Sequence, residues 1–520
     1  MVSAPENKVE KENIPNFEDD PFRLRSFVGL LAKAGHLDII DHAVALADLT
    51  STLDGNLKAV LFNKVGPEKT EIIGNVMASR SRLALAFQTE EKDLLSEILY
   101  RINIKQPTHI VSRSDASVQE IVWQGQDADF TRLPVPFQHG KDGGPYLSST
   151  LDFTINPETG LTNLGCRRMM LRGRREAGVD LNAPSDLRAI YEASVRRGET
   201  LPISFVLGAH PIDHVAATMR IPMDETDLLA SLRATPLNLV KSVSNEILVP
   251  SDAEMVIEGY LDEKGYIEDE GPFGEFAGYY GVMKKNPVFH LTAITMRTDA
   301  LFQTSTISGP HIGCTDTAVL NTLKTEVVVW RALMTAVREP VAVNATSAGA
   351  GMFNLRISIR PRVPGEARNA IAAAFGCLGN VKNVFVVNDD INVFDSDQLD
   401  WALATRFQPD RDLIIQGGMR TLPLDPSLYG AKVGSKAGFD LTIDINKRNS
   451  IEFSVPTAPD IKGPRFENVR SALEDGPKSF QQLMAAINTR DGREVVLALD
   501  EIRQQNQLSR IEGGEYVLNN

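Results

Sequence analysis

The chain has 520 residues, and at roughly 100 to 200 residues per domain its length excludes a single hydrophobic core and predicts about three domains. Hydrophobic residues make up 42% of the sequence and charged residues 23%, which is the balance of an ordinary soluble protein. The net charge is -14, from 54 basic and 68 acidic residues, and no cluster of Lys or Arg stands out, so nucleic acid is excluded as a partner.

The first predicted elements follow a polar segment at residues 1–20, which has no apolar run of signal-peptide length. Residues 21–47 carry apolar side chains at helical spacing, and apolar segments alternate with helical stretches after them. Short apolar runs separated by Gly, Pro and Asn-Pro turns follow at residues 118–297 and predict a barrel-like β structure. We therefore expect an N-terminal α/β domain at residues 1–115 and a central β-barrel domain at residues 116–314.

The remaining elements predict a helix, a second α/β domain and a tail. Residues 315–337 contain neither Gly nor Pro and predict one long, buried linking helix. Short strands and helices alternate at residues 338–470, as in an α/β domain, although residues 452–465 form an extended Pro-containing stretch. Residues 473–507 return to a helical pattern, so we expect a C-terminal helical tail at residues 471–520.

Cysteine and histidine usage argues against several kinds of site. Cys166, Cys314 and Cys377 are widely spaced and include no CxxC pair, so neither a disulfide framework nor a zinc cage is indicated. The histidines have no HExxH spacing, and no run of about 18 apolar residues occurs. We expect a cytoplasmic protein that does not associate with membranes.

The sharpest local motif is the hexapeptide EGPFGE at residues 270–275. Its proline and glycines exclude a helix between Glu270 and Glu275, so one irregular loop presents both carboxylates. The two carboxylates of such a pair can have different roles. One can pair with a cation, while burial raises the pKa of the other so that it donates a proton near neutral pH. Since Glu268 and Asp269 lie just upstream, an exposed acidic turn is the alternative interpretation of this motif.

Two further segments carry groups that suit an anion. In the segment TNLGCRR at residues 162–168, strand alternation would put Arg168 and Cys166 on one face. Arg167 would then lie on the opposite face. An arginine held against a carboxylate can orient a substrate acid through two hydrogen bonds, although most single arginines are surface residues. The segment HGKDGGPY at residues 139–146 is a glycine-rich turn whose backbone amides could approach a phosphate.

Taken together in this order, these segments resemble the UbiD family of reversible decarboxylases. The resemblance continues through VKNVFVVNDDI at residues 381–391, WALATR at residues 401–406 and GSKAGFD at residues 434–440. It implies an α/β (α+β multidomain) fold, in which a central split β-barrel of the flavin-reductase type holds the cofactor between two α/β domains. The C-terminal α/β domain is the expected dimer interface.

The resemblance also implies a catalytic network and a cofactor. In the family a glutamate, arginine and glutamate network faces a prenylated flavin, and the matching residues here are Arg168, Glu270 and Glu275. We expect Glu275 to donate the proton and Glu270 to pair with Arg168. The residues expected to bind prenylated FMN are Ser149, Asn163, Gly165, Cys166, Arg167, Arg168, Ala183, Ser185, Lys382 and Glu275.

A divalent metal is implied beside the flavin phosphate. The family uses manganese, ligated by an asparagine, a histidine and a glutamate, with a monovalent cation such as K+ close by. Asn163 matches the asparagine, whereas the histidine position falls on Asp186 and the glutamate position on Asn238. Because all three residues offer oxygen ligands, we expect a Mn2+ or Mg2+ site.

The family's substrate-pocket positions fall on Asn182, Phe276, Leu422 and Leu424. One polar contact and one aromatic wall favour a small aromatic or heteroaromatic acid over a long prenyl tail. We therefore expect reversible decarboxylation of such an acid by a homodimer or higher homo-oligomer, with a flavin prenyltransferase supplying the cofactor. Two alternatives stay open: a polyprenyl-hydroxybenzoate decarboxylase of quinone synthesis, and a flavin-binding homologue without turnover.

Overall fold

The computed structural model describes residues 20–448 and 450–519. The polar segment at the start of the sequence lies outside these residues, apart from Asp20. The chain divides into two compact units, with the division between Thr442 and Ile443. No helix in the described part of the chain combines the length and the apolar character that a membrane span requires.

The N-terminal part of the first unit is an α/β layer. Its helices and strands are α1 (Leu24–Lys33), β1 (Leu37–Ile40), α2 (Leu49–Leu53), β2 (Ala59–Val65), β3 (Thr70–Gly74), α3 (Arg80–Ala86), α4 (Leu94–Ile102) and β4 (Thr108–Ile110). Leu24, Phe27 and Leu31 form the buried stripe of α1, at the spacing of an amphipathic helix. β1 pairs in parallel with β2. Part of residues 21–47, where the apolar spacing indicated a helix, is therefore a strand.

The central part is built around a closed antiparallel barrel. Its helices and strands are β5 (Ile121–Gln124), β6 (Tyr146–Ile155), β7 (Thr162–Leu171), β8 (Glu176–Val179), α5 (Asp186–Arg197), β9 (Leu201–Leu207), α6 (Pro211–Thr218), α7 (Glu225–Arg233), β10 (Leu237–Lys241), β11 (Leu248–Pro250), β12 (Met255–Leu261), β13 (Glu268–Glu270), β14 (Phe273–Gly274), β15 (Tyr280–Gly281), β16 (Lys284–Asn286), β17 (Val288–Met296) and β18 (Phe302–Gln303). Strands β12, β9, β6, β7, β8 and β17 pair in that order, and β17 pairs back onto β12. The predicted central β-barrel is confirmed.

Side chains at the helix starts fix where the helices beside the barrel begin. Ser185 caps α5 by accepting a hydrogen bond from the backbone N–H of Arg188 at 3.2 Å. Asp224 caps α7 in the same way, accepting from the N–H of Thr226 at 2.9 Å. These caps place Glu225 at the first position of α7.

The long helix α8 (Asp316–Ala336) leads to a second α/β layer. Thr315 caps it, and Val329 and Leu333 bury its C-terminal half against that layer. The elements that follow are β19 (Pro340–Ala345), β20 (Asn354–Ile359), α9 (Glu366–Cys377), β21 (Asn383–Asn388), α10 (Ser396–Arg406), α11 (Pro409–Asp412), β22 (Leu413–Arg420) and β23 (Val433–Asp440). Their sheet has the order β19, β20, β21, β23, β22, with β20, β21 and β23 parallel.

The second unit has its own hydrophobic core. Its elements are α12 (Val469–Glu474), α13 (Phe480–Ala486), α14 (Gly492–Gln504), β24 (Leu508–Arg510) and β25 (Tyr516–Leu518). β24 and β25 form an antiparallel hairpin, and Lys478 makes a further β-bridge to Tyr516. Leu483, Val495 and Leu499 lie in the core that the helices share. The segment expected to be a helical tail is therefore a bundle of short helices closed by a hairpin.

Candidate active site

Arg168, on β7, is surrounded by three carboxylates. Its Nε and Nη2 donate hydrogen bonds to the two oxygens of Glu270 at 2.9 and 3.3 Å. Its Nη1 donates to Oε2 of Glu275 at 3.0 Å, and Nη2 lies 3.0 Å from Oδ2 of Asp180. The side chains of Arg168, Glu270 and Glu275 are only 12%, 1% and 4% exposed. The structure thus brings the three residues expected in the catalytic network into direct contact, away from bulk water.

Lys284, on β16, joins this network from the other side of Glu275. Its Nζ lies 3.1 Å from Oδ2 of Asp180 and 3.2 Å from Oε1 of Glu275. Lys284 is also the register partner of Glu270 between β13 and β16, which puts the two side chains on one face. Sequence reasoning missed Asp180 and Lys284, because neither belongs to a recognisable motif.

Charge complementarity outweighs burial inside the network. Burial alone would lower the pKa of Arg168, but Asp180, Glu275 and Glu270 raise it above its usual range. Burial alone would raise the pKa of Asp180, yet Arg168 and Lys284 hold that pKa well below its usual range. Arg168 and Asp180 therefore remain charged near neutral pH.

The glycine-rich turn before β6 braces the loop that carries the two glutamates. Oδ1 of Asp142 accepts a hydrogen bond from the N–H of Gly274 at 2.9 Å. The N–H of Gly143 donates to the carbonyl oxygen of Pro272 at 2.8 Å. A Cβ atom at Gly143 would lie 2.2 Å from the carbonyl oxygen of Gly271, so this approach requires glycine. The turn thus has a structural role in positioning the carboxylates.

Aromatic rings cover one side of the network. The guanidinium of Arg168 lies over the ring of Phe273, at 4.3 Å from its centroid. The rings of Phe273 and Tyr146 are 4.4 Å apart between centroids, and both are buried. Burial, together with the charge of Glu270, raises the pKa of Tyr146, which keeps its hydroxyl protonated. These rings exclude water from the paired charges.

A cluster of oxygen ligands lies near the start of β7. Asn163 is buried, and its Nδ2 donates to Oδ2 of Asp152 at 3.3 Å. Glu225 accepts a hydrogen bond from the N–H of Leu164. Burial raises the pKa of Glu225 to about 7, and the carboxylates of Asp152 and Asp186 add to this rise. Carboxylates that repel one another beside an amide form a donor set that suits a divalent cation.

The structure does not bring Asn238 to this cluster. Asn238 lies on β10, between β4 and β11, and its side chain is exposed. In the described residues no hydrogen bond joins Asn238 to Asn163 or Asp186, whereas Glu225 accepts a hydrogen bond from the N–H of Leu164, next to Asn163. Asn238 was assigned from the family resemblance. Within residues 20–448 and 450–519, no group of three or more His, Cys, Asp or Glu side chains is placed to hold a metal ion.

Cations lie beside these oxygen ligands. Nη2 of Arg167 donates to Oγ of Ser185 at 3.2 Å, and its Nε lies 3.6 Å from Oδ1 of Asp152. Among the described residues, that Nε and that Oδ1 are buried without a hydrogen-bond partner. Nη2 of Arg220 donates to the carbonyl oxygen of Pro184 at 2.9 Å, so both guanidiniums contact the segment that leads into α5. Burial, together with the charges of Arg220 and Arg167, lowers the pKa of Lys324. A cluster of cations beside carboxylates and buried polar atoms without partners fits a phosphate group that is bridged by a metal.

The remaining residues expected to contact the flavin in the barrel lie on two paired strands and the following loop. Ser149 is buried on β6, and Gly165 and Cys166 lie on β7. A Cβ atom at Gly165 would lie 2.8 Å from Oδ1 of Asp152, so glycine at this position allows the carboxylate of Asp152 to lie close to β7. Burial raises the pKa of the Cys166 thiol to about 12, which leaves it neutral. Ala183 is exposed, just before α5.

Lys382, Leu422 and Leu424 belong to the second α/β layer. Nζ of Lys382 donates to Oδ2 of Asp425 at 2.8 Å and to Oγ of Ser427 at 2.7 Å. Leu422 and Leu424 are half-buried in the loop after β22. The role of Lys382 in flavin binding and of the two leucines in the substrate pocket stays a prediction.

Asn182 and Phe276 lie at the edge of the charged network. Nδ2 of Asn182 donates to Oδ1 of Asp180 at 3.1 Å and also contacts Oδ1 of Asn286. Phe276 follows Glu275 directly and is half-buried. Both are therefore next to residues of the network, as expected for side chains that would contact a substrate there.

Models of three domains of the 3-octaprenyl-4-hydroxybenzoate carboxy-lyase family, UbiD, match this chain. The N-terminal domain matches residues 28–102, the Rift-related domain matches residues 109–311, and the C-terminal domain matches residues 318–441. The matches thus cover the two α/β layers and the barrel. They agree with the family resemblance that the sequence motifs indicated.

Individual relatives and solved structures match over most of the same region. Anhydromevalonate phosphate decarboxylase of Methanosarcina mazei is 30% identical over 436 residues, covering 83% of this chain and 98% of the relative. The UbiD-class enzyme HmfF of Pelotomaculum thermopropionicum, in complex with FMN, superposes with a TM-score of 0.79 at 30% identity, covering 84% of this chain and 97% of HmfF. Two further structures each give a TM-score of 0.76 at 28% identity, with the same coverage of 84% and 97%: an evolved dimeric form of HmfF in complex with prFMN, and the apo 3,4-dihydroxybenzoic acid decarboxylase AroY of Klebsiella pneumoniae.

Proposed function

This chain belongs to the UbiD family of carboxy-lyases, and we propose that it decarboxylates an α,β-unsaturated or aromatic carboxylic acid with prenylated FMN as its cofactor. The observation that carries this proposal is the buried network in which Arg168 pairs with both Glu270 and Glu275. Such a network offers a fixed cation for a substrate carboxylate and a carboxyl group for proton delivery. Flavin-bound and decarboxylating relatives at about the same identity support it.

We propose that the cation cluster of Arg167, Arg220 and Lys324 holds the phosphate of the flavin. Asn163 and two carboxylates, those of Asp186 and Glu225, would bind Mn2+ or Mg2+ beside that phosphate, with a monovalent cation such as K+ nearby. Oxygen donors of this kind suit both divalent ions. When bound, the prenylated flavin supplies the electron sink for the loss of CO2.

The side chains of the network would divide the remaining work. Arg168 would orient the carboxylate of the substrate, because its guanidinium is held in a fixed plane by Glu270. Glu275 would deliver the proton to the carbon atom that has lost CO2. Phe273 and Tyr146 would keep water out, which strengthens each of these interactions.

The substrate that we propose is a small aromatic or heteroaromatic acid. Asn182 offers one polar contact beside the network, and Phe276 offers an aromatic surface next to Glu275. The similarity to a 3,4-dihydroxybenzoic acid decarboxylase supports an aromatic acid. The similarity to anhydromevalonate phosphate decarboxylase supports a second candidate, a phosphorylated acid of the kind that this name describes.

We also propose that the enzyme works as a homodimer or higher homo-oligomer and that a flavin prenyltransferase supplies its cofactor. The evolved dimeric form of HmfF in complex with prFMN supports an assembly of this kind, and its cofactor supports a need for prenylated flavin. Size-exclusion chromatography with light scattering of the full chain would measure its mass. A monomer at working concentrations would contradict the proposed assembly.

The proposed function is tested by producing the chain together with a flavin prenyltransferase. The absorption spectrum and the mass of the released cofactor identify the flavin, and CO2 release is then measured with aromatic, heteroaromatic and phosphorylated unsaturated acids. Bound prenylated flavin and turnover of one of these acids would support the proposal. Turnover of a polyprenyl hydroxybenzoate alone would move the assignment to quinone synthesis. Bound flavin without CO2 release from any acid would favour a homologue without turnover.

A further inference from the structure

Glu275 is held by a different cation at each of its carboxylate oxygens. Arg168 Nη1 donates to Oε2 at 3.0 Å, and Lys284 Nζ donates to Oε1 at 3.2 Å. A cation beside each oxygen favours the charged carboxylate over the protonated acid. Withdrawal of one of the two cations would therefore make it easier for Glu275 to take up the proton that the proposed reaction needs.

The two cations differ in their freedom to move. Arg168 is fixed by two hydrogen bonds to Glu270, by its contact with Asp180 and by stacking on Phe273. Lys284 is a compact ammonium on a flexible chain, and within the described part of the chain its Nζ makes two ion pairs, with Asp180 and Glu275. Its side chain is 17% exposed, so it has access to the space outside the network. Lys284 is therefore the cation that can leave Glu275.

The charges of the network indicate what would draw Lys284 away. Three carboxylates, of Asp180, Glu270 and Glu275, face the two cations Arg168 and Lys284. A substrate carboxylate that enters this buried region adds a further negative charge. Arg168, which would orient it, is already paired with three carboxylates, so a second cation would be needed beside the substrate. An ammonium can exchange one carboxylate for another with little change in geometry, because it has no preferred plane.

We propose that Lys284 is a positioning residue that leaves Glu275 for the carboxylate of the arriving acid and so frees Oε1 of Glu275 to carry the proton. This inference rests on the proposed function. In the net step, the bond between the carboxyl carbon and its neighbour breaks and CO2 leaves. The proton on Oε1 of Glu275 is then transferred to the carbon atom that has lost CO2 and forms the new C–H bond. Glu275 becomes a carboxylate, and Lys284 pairs with it again. Solvent returns one proton to Glu275 in each turnover.

The first test measures binding and needs no turnover. Benzoate and benzamide have nearly the same shape and differ in charge, so their affinities for the flavin-loaded protein, measured by calorimetry, report on the cation that meets the carboxylate. Wild type should prefer benzoate by about 10-fold or more, Lys284→Met should reduce this preference to less than about 3-fold, and Lys284→Arg should keep most of it. A wild type without any preference, or a Lys284→Met variant with the full preference, would overturn the inference.

The neighbouring lysine provides a matched control. Lys285 pairs with Asp269 at 2.9 Å, and both side chains are more than half exposed, at 56% and 58%. Lys285→Met removes the same charge from the outside of the same strand and should leave the preference for benzoate unchanged. A loss of preference in Lys285→Met equal to that in Lys284→Met would assign the effect to net charge and overturn the role of Lys284.

The second test separates positioning from folding. With an acid that wild type decarboxylates, Lys284→Met should raise KM by about 10-fold or more. The decarboxylated product brings no carboxylate to draw Lys284 from Glu275, so exchange of solvent deuterium into that product should be as fast in Lys284→Met as in wild type, or faster. An equal fall in both reactions, without rescue by Lys284→Arg, would make Lys284 a structural residue only. If wild type turned over no acid while the binding preference still depended on Lys284, the proposed function would fail, and only the pairing of Lys284 with the carboxylate of the ligand would stand.

Discussion

The guanidinium of Arg168 donates hydrogen bonds to both carboxylate oxygens of Glu270, at 2.9 and 3.3 Å. With Glu275 it makes only one, at 3.0 Å. A bidentate pair fixes the plane of the guanidinium, whereas Glu275 shares its second oxygen with Lys284, at 3.2 Å. This asymmetry supports the proposed division between Glu270, which positions Arg168, and Glu275, which would deliver the proton.

Replacing Glu270 by glutamine should therefore disturb catalysis through Arg168. The amide NH2 of the new side chain would face an N–H of Arg168, which leaves a buried donor without an acceptor. We expect turnover to fall by about 100-fold, since small misplacements of a binding group have this effect. The free energy of unfolding should fall by about 1–3 kcal/mol. Steady-state kinetics and urea unfolding measure these changes, and unchanged turnover would contradict the positioning role.

Gly143 should be essential to the site for steric reasons. A Cβ atom there would lie 2.2 Å from the carbonyl oxygen of Gly271, so Gly143→Ala must push the turn away from the glutamate loop. We expect at least about a 10-fold loss of turnover. Gly140 lies in the same turn with no atom within 4 Å of its added Cβ, so Gly140→Ala is the matched control and should behave like wild type. Equal kinetics for the two variants would refute the bracing role.

Two substitutions test whether Glu225 or Asn238 is the third ligand of the proposed metal site. Glu225 is near Asn163 and Asp186, whereas Asn238 lies exposed on β10. Glu225→Gln should reduce the Mn2+ content of the flavin-loaded protein, measured by plasma mass spectrometry, by about 10-fold or more. Asn238→Ala should retain it. The reverse result would restore Asn238 as the ligand.

Stability should depend on pH through His214. Burial lowers the pKa of His214 from 6.5 to about 4, against an opposing hydrogen bond with Gln303. The unfolded chain therefore binds more protons than the folded one between these values, and stability is present above pH 6.5 and is lost as the pH falls towards about 4. Each such histidine contributes a slope of up to about 1.4 kcal/mol per pH unit.

Urea unfolding across that pH window measures the slope, with His214→Gln as the comparison. The variant should lose less stability on acidification than wild type. His210 is also buried with a lowered pKa, so part of the slope should remain in the variant. Identical slopes for the two proteins would exclude His214 as a source of acid sensitivity.

The second unit should be dispensable for the chemistry. The family matches end at residue 441, and every residue of the proposed network and metal cluster precedes Thr442. A chain ended after Thr442 should therefore keep its flavin and stay within about 3-fold of the wild-type turnover. Retention of fold and flavin with loss of turnover would assign the second unit a part in the reaction.

Motifs made the catalytic network predictable from the sequence. Glu270 and Glu275 are the two ends of a hexapeptide whose Pro and Gly residues require a loop. Arg168 ends the segment TNLGCRR in a predicted strand. Because both motifs resemble the UbiD family, the sequence alone predicts that the three residues form one network. Asp180 and Lys284 were not predictable, because single charged residues acquire meaning only from the contacts that folding creates. Asn238 was assigned as a metal ligand from the family resemblance.

Glu225 could have been found by a different signal. The segment Asp224-Glu225-Thr226 is acidic and begins a helix. Carboxylates are favoured in the first turn of a helix because they complement its dipole, so this pattern predicts that Glu225 has a fixed position. The strand β1 and the C-terminal hairpin were missed because short strands depend on partners distant in sequence, and local propensity does not reveal these partners.

The most direct test of the account is turnover of Glu275→Gln in deuterated water, beside wild type, with both proteins loaded with flavin. Wild type should place one deuterium on the carbon that lost CO2, and Glu275→Gln should keep its flavin and lose about 100-fold or more in turnover. Near-normal turnover in Glu275→Gln, with the same deuterium incorporation, would contradict the claim that this network delivers the proton.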